Sequence, residues 1–354
     1  MLLKSFRFLL LPLSFIYSIF ISVRNWLFDK KIWKSAGFNF PLICVGNLAV
    51  GGTGKSPMTE YLVGLLKNRF NTATLSRGYK RKTKGFAIAG ENTTALDIGD
   101  EPMQFHQKFP DITVAVGEER LVAIPQILHA RPETEVIILD DAFQHRRVRA
   151  GLNILLTQYN DLYVHDFLIP VGGLRDVKSS AKRAEIIVVT KCPPNLSVEE
   201  KNKIKKQLNL LEKQKLFFTT IAYSKPSHLF TGEEFQIPAE ADILLICGIA
   251  NPGPLKNFLG NNYHSFDMIS FPDHHIFRSD DLKEIINGFE KLGGKEKFIL
   301  TTEKDGVRLE KYKNELKDYP VYVLPIKHKF LFDEEIKFNE IIIKFVEENK
   351  NSPT

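Results

Sequence analysis

Cysteine is scarce in this 354-residue chain: three are present, beside two tryptophans and four methionines. Cys44, Cys192 and Cys247 lie far apart and form no CxxC pair. That excludes a disulfide framework and a thiolate metal cluster. Each sits in or beside an apolar, strand-like run, where a buried free thiol in a reducing compartment is expected. A general excess of positive charge is also missing. The net charge is +6, but residues 1–35 hold Lys4, Arg7, Arg24, Lys30, Lys31 and Lys34 against Asp29, so the rest of the chain is nearly neutral. No nucleic-acid partner is expected from that distribution; a basic collar around an apolar run suits anionic lipid headgroups on a cytoplasmic face. The run itself, Phe8–Val23, contains Pro12 and falls short of the ~20 apolar residues that spanning a bilayer takes. With 44% hydrophobic and 25% charged residues, neither disorder nor a polytopic membrane protein is indicated, and the length allows two domains.

What is present is led by Pro41–Met58, PLICVGNLAVGGTGKSPM. A short branched apolar run, a glycine-rich stretch and then apolar residues at helical spacing (Met58, Tyr61, Leu62, Leu65, Leu66) read as strand, loop and helix. That is the architecture of a phosphate-binding loop. The backbone of Gly51, Gly52, Thr53 and Gly54 is suited to turn N–H groups around a polyphosphate, Lys55 to reach the β- and γ-phosphates, and Ser56 to offer its hydroxyl to Mg²⁺. The strict pattern has Gly at position 49, where this chain has Ala49. The bland alternative is an ordinary glycine-rich turn before a helix.

Around this loop the order of segments is α/β. Lys4, Arg7, Ser14, Ser18, Ser22 and Asn25 follow one another at spacings of three, four or seven, which puts a polar stripe on an otherwise apolar helix. It reads as a helix lying in the membrane interface or dipping into one leaflet; a secretory signal peptide and a buried hairpin are the competitors. The knot Ser76–Lys82 is strongly cationic, either a solvated loop or a phosphate contact. Asp100 and Glu101 open a helix, where Asp100 is an N-cap or a functional carboxylate. An apolar strand, Val136–Leu139, ends in Asp140 and Asp141, the expected second half of a nucleotide site, where a carboxylate holds Mg²⁺ directly or through water. Arg175, in the segment Pro170–Asp176, is a candidate for neutralising charge on the transferring phosphoryl group. Thr190-Lys191-Cys192-Pro193 has only a superficial likeness to a guanine-reading loop and lacks its Asp.

After a turn-rich boundary at Ser224–Glu240 the α/β rhythm repeats. Phe271-Pro272-Asp273-His274-His275 suits proton transfer better than metal binding, because no third ligand is suitably spaced. Thr302-Glu303-Lys304-Asp305 reads as a capping box, or as residues that help to hold a cleft closed. The expected organisation is therefore a membrane-associated helix (1–35), a P-loop NTPase-type three-layer α/β/α domain (36–223) and a second, smaller α/β domain (224–354) that closes the cleft.

Seven stretches, VGNLAVGGTGKSP, LSRGYKRK, GDEP, LDDAFQHRR, PVGGLRD, FPDHH and TEKD, together resemble the motifs of the lipid A 4′-kinase (tetraacyldisaccharide 4′-kinase) family of Gram-negative bacteria, in order along nearly the whole chain. Ala49, Ser56 where the family often shows Thr, and Lys80 where it often shows Gly are mild departures. The resemblance implies transfer of the γ-phosphate of ATP to the 4′-hydroxyl of a tetraacylated glucosamine disaccharide 1-phosphate at the inner membrane's cytoplasmic surface, with no protein partner. It implies that Lys55 and Ser56 hold phosphate and Mg²⁺, that Asp140 and Asp141 belong to the Mg²⁺ site, and that Glu101 is a further contact. It implies too that Asp100 and His274 form the dyad that activates the sugar hydroxyl, supported by Asn47, His145, Arg175 and Glu303. The competing readings are a membrane-associated P-loop ATPase switch and a kinase of a soluble sugar or nucleoside.

Overall fold

A computed structural model describes residues 8–273 and 275–350. Leu42–Asn47 (β1), Thr72–Ser76 (β2), Val136–Asp140 (β5) and Ile186–Thr190 (β7) are buried at every position. Such continuously buried strands need cover on both faces, which a parallel sheet between two helical layers supplies. The remaining strands of this nine-stranded sheet are Ala87–Ile88 (β3), Thr113–Val116 (β4), Leu152–Gln158 (β6), Lys215–Tyr223 (β8) and Ile326–Phe330 (β14), in the order β14-β8-β7-β6-β1-β5-β2-β4-β3. The interior pairs are parallel, and β3 and β14 close the two edges antiparallel. Because β1 is flanked by β5 on one side and β6 on the other, the chain departs in both directions from it. The crevice at its carboxyl end is where α/β sheets bind ligands.

One layer is built on Lys55–Leu66 (α2) and Asp100–Lys108 (α3), whose Met58, Leu62, Leu66 and Phe105 pack beneath Val45 and Ile138. The opposite layer holds Arg120–Ala130 (α4) and Val198–Leu208 (α5), through Ile124, Ile127, Ile204 and Leu208. A second sheet of five strands, in the order β9-β13-β12-β10-β11, comprises Ser227–His228 (β9), Asp242–Cys247 (β10), Ser265–Ser270 (β11), Lys297–Thr302 (β12) and Val321–Leu324 (β13). Gly253–Asn262 (α6), Ser279–Lys291 (α7) and Glu303–Leu309 (α8) bury Leu259, Ile285 and Leu309 against it.

The second unit does not run to the end of the chain, as the expected 224–354 boundary would have it. One residue, Pro325, separates β13 of the small sheet from β14, which pairs with β8 of the large one from Tyr223↔Ile326 to Thr219↔Phe330. The last helix, Glu335–Lys350 (α9), then buries Phe338, Ile342 and Val346 beside α2. The segment Ile326-Lys327-His328-Lys329-Phe330 alternates as an edge strand does, and its two lysines hide that pattern from a search for apolar runs.

The N-terminal helix, Leu11–Asp29 (α1), turns its polar side inward. Ser14 donates to the Leu168 carbonyl (2.9 Å), Tyr17 to the Arg175 carbonyl (3.0 Å) and Asn25 to Asp176 (2.7 Å). Leu13, Phe15, Ile16, Ile19, Phe20, Val23 and Trp26 are exposed. This is the reverse of a helix on a water-facing surface, whose apolar stripe faces the core.

Phe338 is fully buried, with its ring 5.2 Å from Phe217 and 4.6 Å from Phe330. Phe338→Ala should therefore destabilise the nucleotide-binding unit by ~3–5 kcal/mol in denaturant unfolding. If α9 belonged to a separate C-terminal domain, the first unit's transition would not move.

Candidate active site

The loop after β1 is shaped by glycines that adopt left-handed backbone: Gly51 has φ 104° and Gly54 φ 88°. At the base of the loop, Asn47 donates to the Thr53 hydroxyl (2.9 Å), and its carbonyl oxygen accepts from Lys55 (3.4 Å) and Arg175 (2.5 Å). Helix α2 begins at Lys55, with Pro57 in its first turn, so the backbone N–H groups of Lys55 and Ser56 face out of the helix start. Thr53 and Gly54 also have their carbonyls engaged. Thr190, at the end of β7, donates to the Thr53 carbonyl (2.8 Å), and His328, on β14, bonds the Gly54 carbonyl (2.9 Å) through Nε2.

The acidic side of the site is contributed by the end of β5 and by α3. Asp140 ends β5, completely buried, with Thr59 and Ser76 hydroxyls at 3.3 and 3.4 Å. Burial, then the neighbouring Glu101 and Asp141 carboxylates, push the Asp140 carboxyl up to about 7. Asp141 stands in left-handed backbone (φ 46°) and accepts from Arg175 at 2.8 and 3.2 Å, with Lys55 at 3.7 Å. Burial alone would raise its carboxyl, but Lys55 and Arg175 outweigh burial and hold it below the usual range. Glu101, on α3, accepts from the Ser56 hydroxyl (3.0 Å) and from Lys304 of the second unit (2.7 Å). Burial again opposes ionisation, and Lys304, Ser56 and Lys55 overcome it.

Lys55, Ser56, Asn47, Glu101, Asp140, Asp141 and Arg175 thus converge on one corner. Among the described residues no three His, Cys, Asp or Glu side chains form a cage that could hold a metal by themselves. That suits Mg²⁺, which keeps waters and substrate phosphate oxygens and takes only one or two protein ligands. The Ser56 hydroxyl with the Asp140 carboxyl, whose proton is held first by burial and then by the Glu101 and Asp141 carboxylates, is a donor set fitted to it.

The other expected residues are placed differently. Asp100 is held from across the cleft by Arg308, at 2.7 and 3.1 Å, and Arg308 is itself bound to the buried Asp305 (3.1 Å). His274 lies outside the described residues. Its neighbour His275 pairs with Asp281 (2.8 Å) and stacks on Phe271. Glu303 accepts from Lys108 (2.5 Å) and from the Ile326 N–H (3.1 Å), so it ties α3 to the crossing strand. Of the cationic knot, Arg81 is committed to Glu118 (2.6 Å). His145 is half-buried, with Nε2 unpartnered; burial and then Arg120 lower its basicity. Reading the sequence missed Arg308, Thr190 and His328. The first two had signals, a cation four residues after Lys304 and a threonine ending an apolar strand. His328 had none until β14 was seen to return.

The model of the Tetraacyldisaccharide-1-P 4′-kinase family matches residues 6–347. The chain belongs to this family. A tetraacyldisaccharide 4′-kinase of Flavobacterium johnsoniae is 47% identical over 97% of this chain and 98% of its own length. One from Bacteroides thetaiotaomicron is 44% identical over 96% and 93%. The crystal structure of LpxK from Aquifex aeolicus in complex with ATP has a TM-score of 0.76 at 30% identity, covering 96% of this chain and 99% of that one. As a member of this kinase family the chain is an enzyme that binds ATP, and its fold is the mixed α/β fold of that structure.

His328 makes one property of this kinase dependent on pH. Burial, and then the nearby Lys191, push its imidazole down to about 4. An unfolded histidine titrates near ~6.5. Between those values the unfolded chain binds a proton that the folded one refuses, so stability is full above ~6.5 and is lost as pH falls toward 4. Unfolding followed from pH 8 to 4 should show the wild type losing about 3 kcal/mol more than His328→Gln over that range. Equal slopes in the two proteins would refute it.

Proposed function

We propose that the residues gathered at the ends of β1 and β5 transfer the γ-phosphoryl group of ATP to the 4′-hydroxyl of a tetraacyldisaccharide 1-phosphate at the cytoplasmic face of the inner membrane. One juxtaposition carries this reading. The segment that brings Arg175 to Asp141 and Asn47 is the same segment on which α1 is docked, so the phosphate site and an outward apolar helix share one support.

A phosphoryl group passing through a loose transition state requires alignment and charge neutralisation more than covalent chemistry. Lys55 takes the β- and γ-phosphates and Arg175 the developing charge on the transferred group, both preset by Asp141 and Asn47. Ser56, Asp140 and Asp141 would hold Mg²⁺, with Glu101 next to Ser56; the ion would supply neutralisation of phosphate charge. Asp100 with His274 receives the proton of the attacking hydroxyl, a role for which a carboxylate and an imidazole near working pH are suited. Lys304 and Arg308 belong to the second unit yet contact Glu101 and Asp100, so the set is complete only with the cleft closed, which limits idle ATP hydrolysis.

Helix α1 is long and apolar enough to cross a membrane by length and composition. Its hydrogen bonds to Leu168, Arg175 and Asp176 favour a helix lying in the interface, because crossing would strip those partners away. Exposed Trp26 and Trp33 suit that depth.

The test is transfer of label from [γ-³²P]ATP to a tetraacyl disaccharide 1-phosphate in mixed micelles with Mg²⁺. Lys55→Ala should cut transfer at least ~10²-fold. Asp100→Asn should lower kcat ~10²-fold with the KM for ATP little changed. Label appearing as inorganic phosphate, with the lipid unlabelled, would reject the acceptor and favour an ATPase switch. On vesicles of anionic phospholipid, Phe15→Glu with Phe20→Glu should abolish co-sedimentation while ATP binding persists; undiminished binding would remove α1 from the membrane.

A further inference from the structure

In a phosphate loop the N–H groups must point inward, and a trans peptide unit directs its C=O opposite to its N–H. Whatever holds the Thr53 and Gly54 carbonyls outward therefore aims the N–H groups of Gly54 and Lys55 at the phosphates. Two buried side chains outside the loop do this: Thr190 at 2.8 Å from the Thr53 carbonyl and His328 at 2.9 Å from the Gly54 carbonyl. The Gly54 carbonyl also accepts the first helical bond from Met58 (3.1 Å), so both of its acceptor positions are filled. A carbonyl only accepts, which requires the hydrogen of His328 to be on Nε2; Nδ1 then accepts from the Thr219 hydroxyl (2.9 Å). The fit is tight, since a Cβ on Gly54 would stand 3.0 Å from the His328 ring.

We propose that Thr190 and His328 are positioning residues of the phosphate loop, setting the affinity for ATP by fixing the direction of the Gly54 and Lys55 N–H groups. Neither belongs to the loop or touches the reacting atoms. His328 is mounted on the strand that arrives from the second sheet through Pro325, so its position is registered by both units. The proposal rests on the reading of this loop as the ATP site.

Asparagine and glutamine separate the two ring nitrogens. His328→Asn keeps a polar group on the Thr219 side and leaves the Gly54 carbonyl without its donor, whereas His328→Gln returns an N–H near the Nε2 position. With full-length enzyme in micelles and saturating lipid acceptor, His328→Asn and Thr190→Val should each raise the KM for MgATP roughly tenfold, with kcat changed much less. His328→Gln should recover most of that loss. Unchanged KM in Thr190→Val, or His328→Gln as impaired as His328→Asn while melting like the wild type, overturns the proposal. Should His328→Asn fail to fold, the Thr190→Val and His328→Gln results decide it. A wild type that does not saturate with MgATP would overturn the ATP reading itself, which is a different outcome from saturating wild type with unmoved variants.

Discussion

Asp140, Asp141 and Glu101 meet in one corner, Asp140 buried and the other two partly exposed, and there burial and the Glu101 and Asp141 carboxylates raise the cost of ionising Asp140. Their charges are balanced by Lys55, Arg175 and Lys304, which come from α2, from the segment after Pro170 and from the second unit. The balance is incomplete at Asp140, whose carboxyl holds its proton up to about 7. A divalent cation at the Ser56 hydroxyl would release that proton and ionise the third carboxylate. The electrostatics thus make a place for a cation together with its phosphates, and the fold is the means of bringing separate parts of the chain to that place.

Where α3 meets α8 the joint between the two units is polar, while Tyr223 of β8 stacks on Phe258 of α6 at 4.1 Å. Helices α3 and α8 face each other through Asp100 with Arg308, Glu101 with Lys304 and Lys108 with Glu303, and Gln107 reaches Glu310. Ion pairs of this kind hold two surfaces in register through specific partners. Only a single residue, Pro325, separates the two sheets at the return of the chain.

Much of this was legible in the sequence because two periodicities and one loop carry it. Continuous apolar runs such as Ile186–Thr190 can only be strands covered on both faces, and the glycines of Gly51–Gly54 are needed for left-handed turns. The Asp140–Asp141 pair was readable because acidic residues ending such a strand have no packing reason to be there. What escaped was long-range. Arg308 and Lys304 act through partners some two hundred positions away, and β14 escaped because Lys327 and Lys329 mask its buried His328 and Phe330. Thr190 escaped for another reason: a threonine ending a strand is ordinary, and only its neighbour, the Thr53 carbonyl, gives it a role.

The polar stripe on α1 was legible too, but its direction was not. A stripe of Ser14, Ser18, Ser22 and Asn25 is equally compatible with water and with protein, and the choice depends on what the rest of the chain offers. Here the loop bearing Arg175 and Asp176 offers carbonyl and carboxylate acceptors, and Ser14, Tyr17 and Asn25 donate to it. With those donors satisfied inward, together with Ile21 and Phe28, the other apolar residues are left on the outside, where exposed in water they would be costly. A bilayer surface removes that cost. On the proposed function, the helix meant for the lipid is held by the residues next to Arg175, the arginine proposed to meet the phosphate, so an acceptor whose acyl chains remain in the lipid would be met at the depth where its hydroxyl can reach the site.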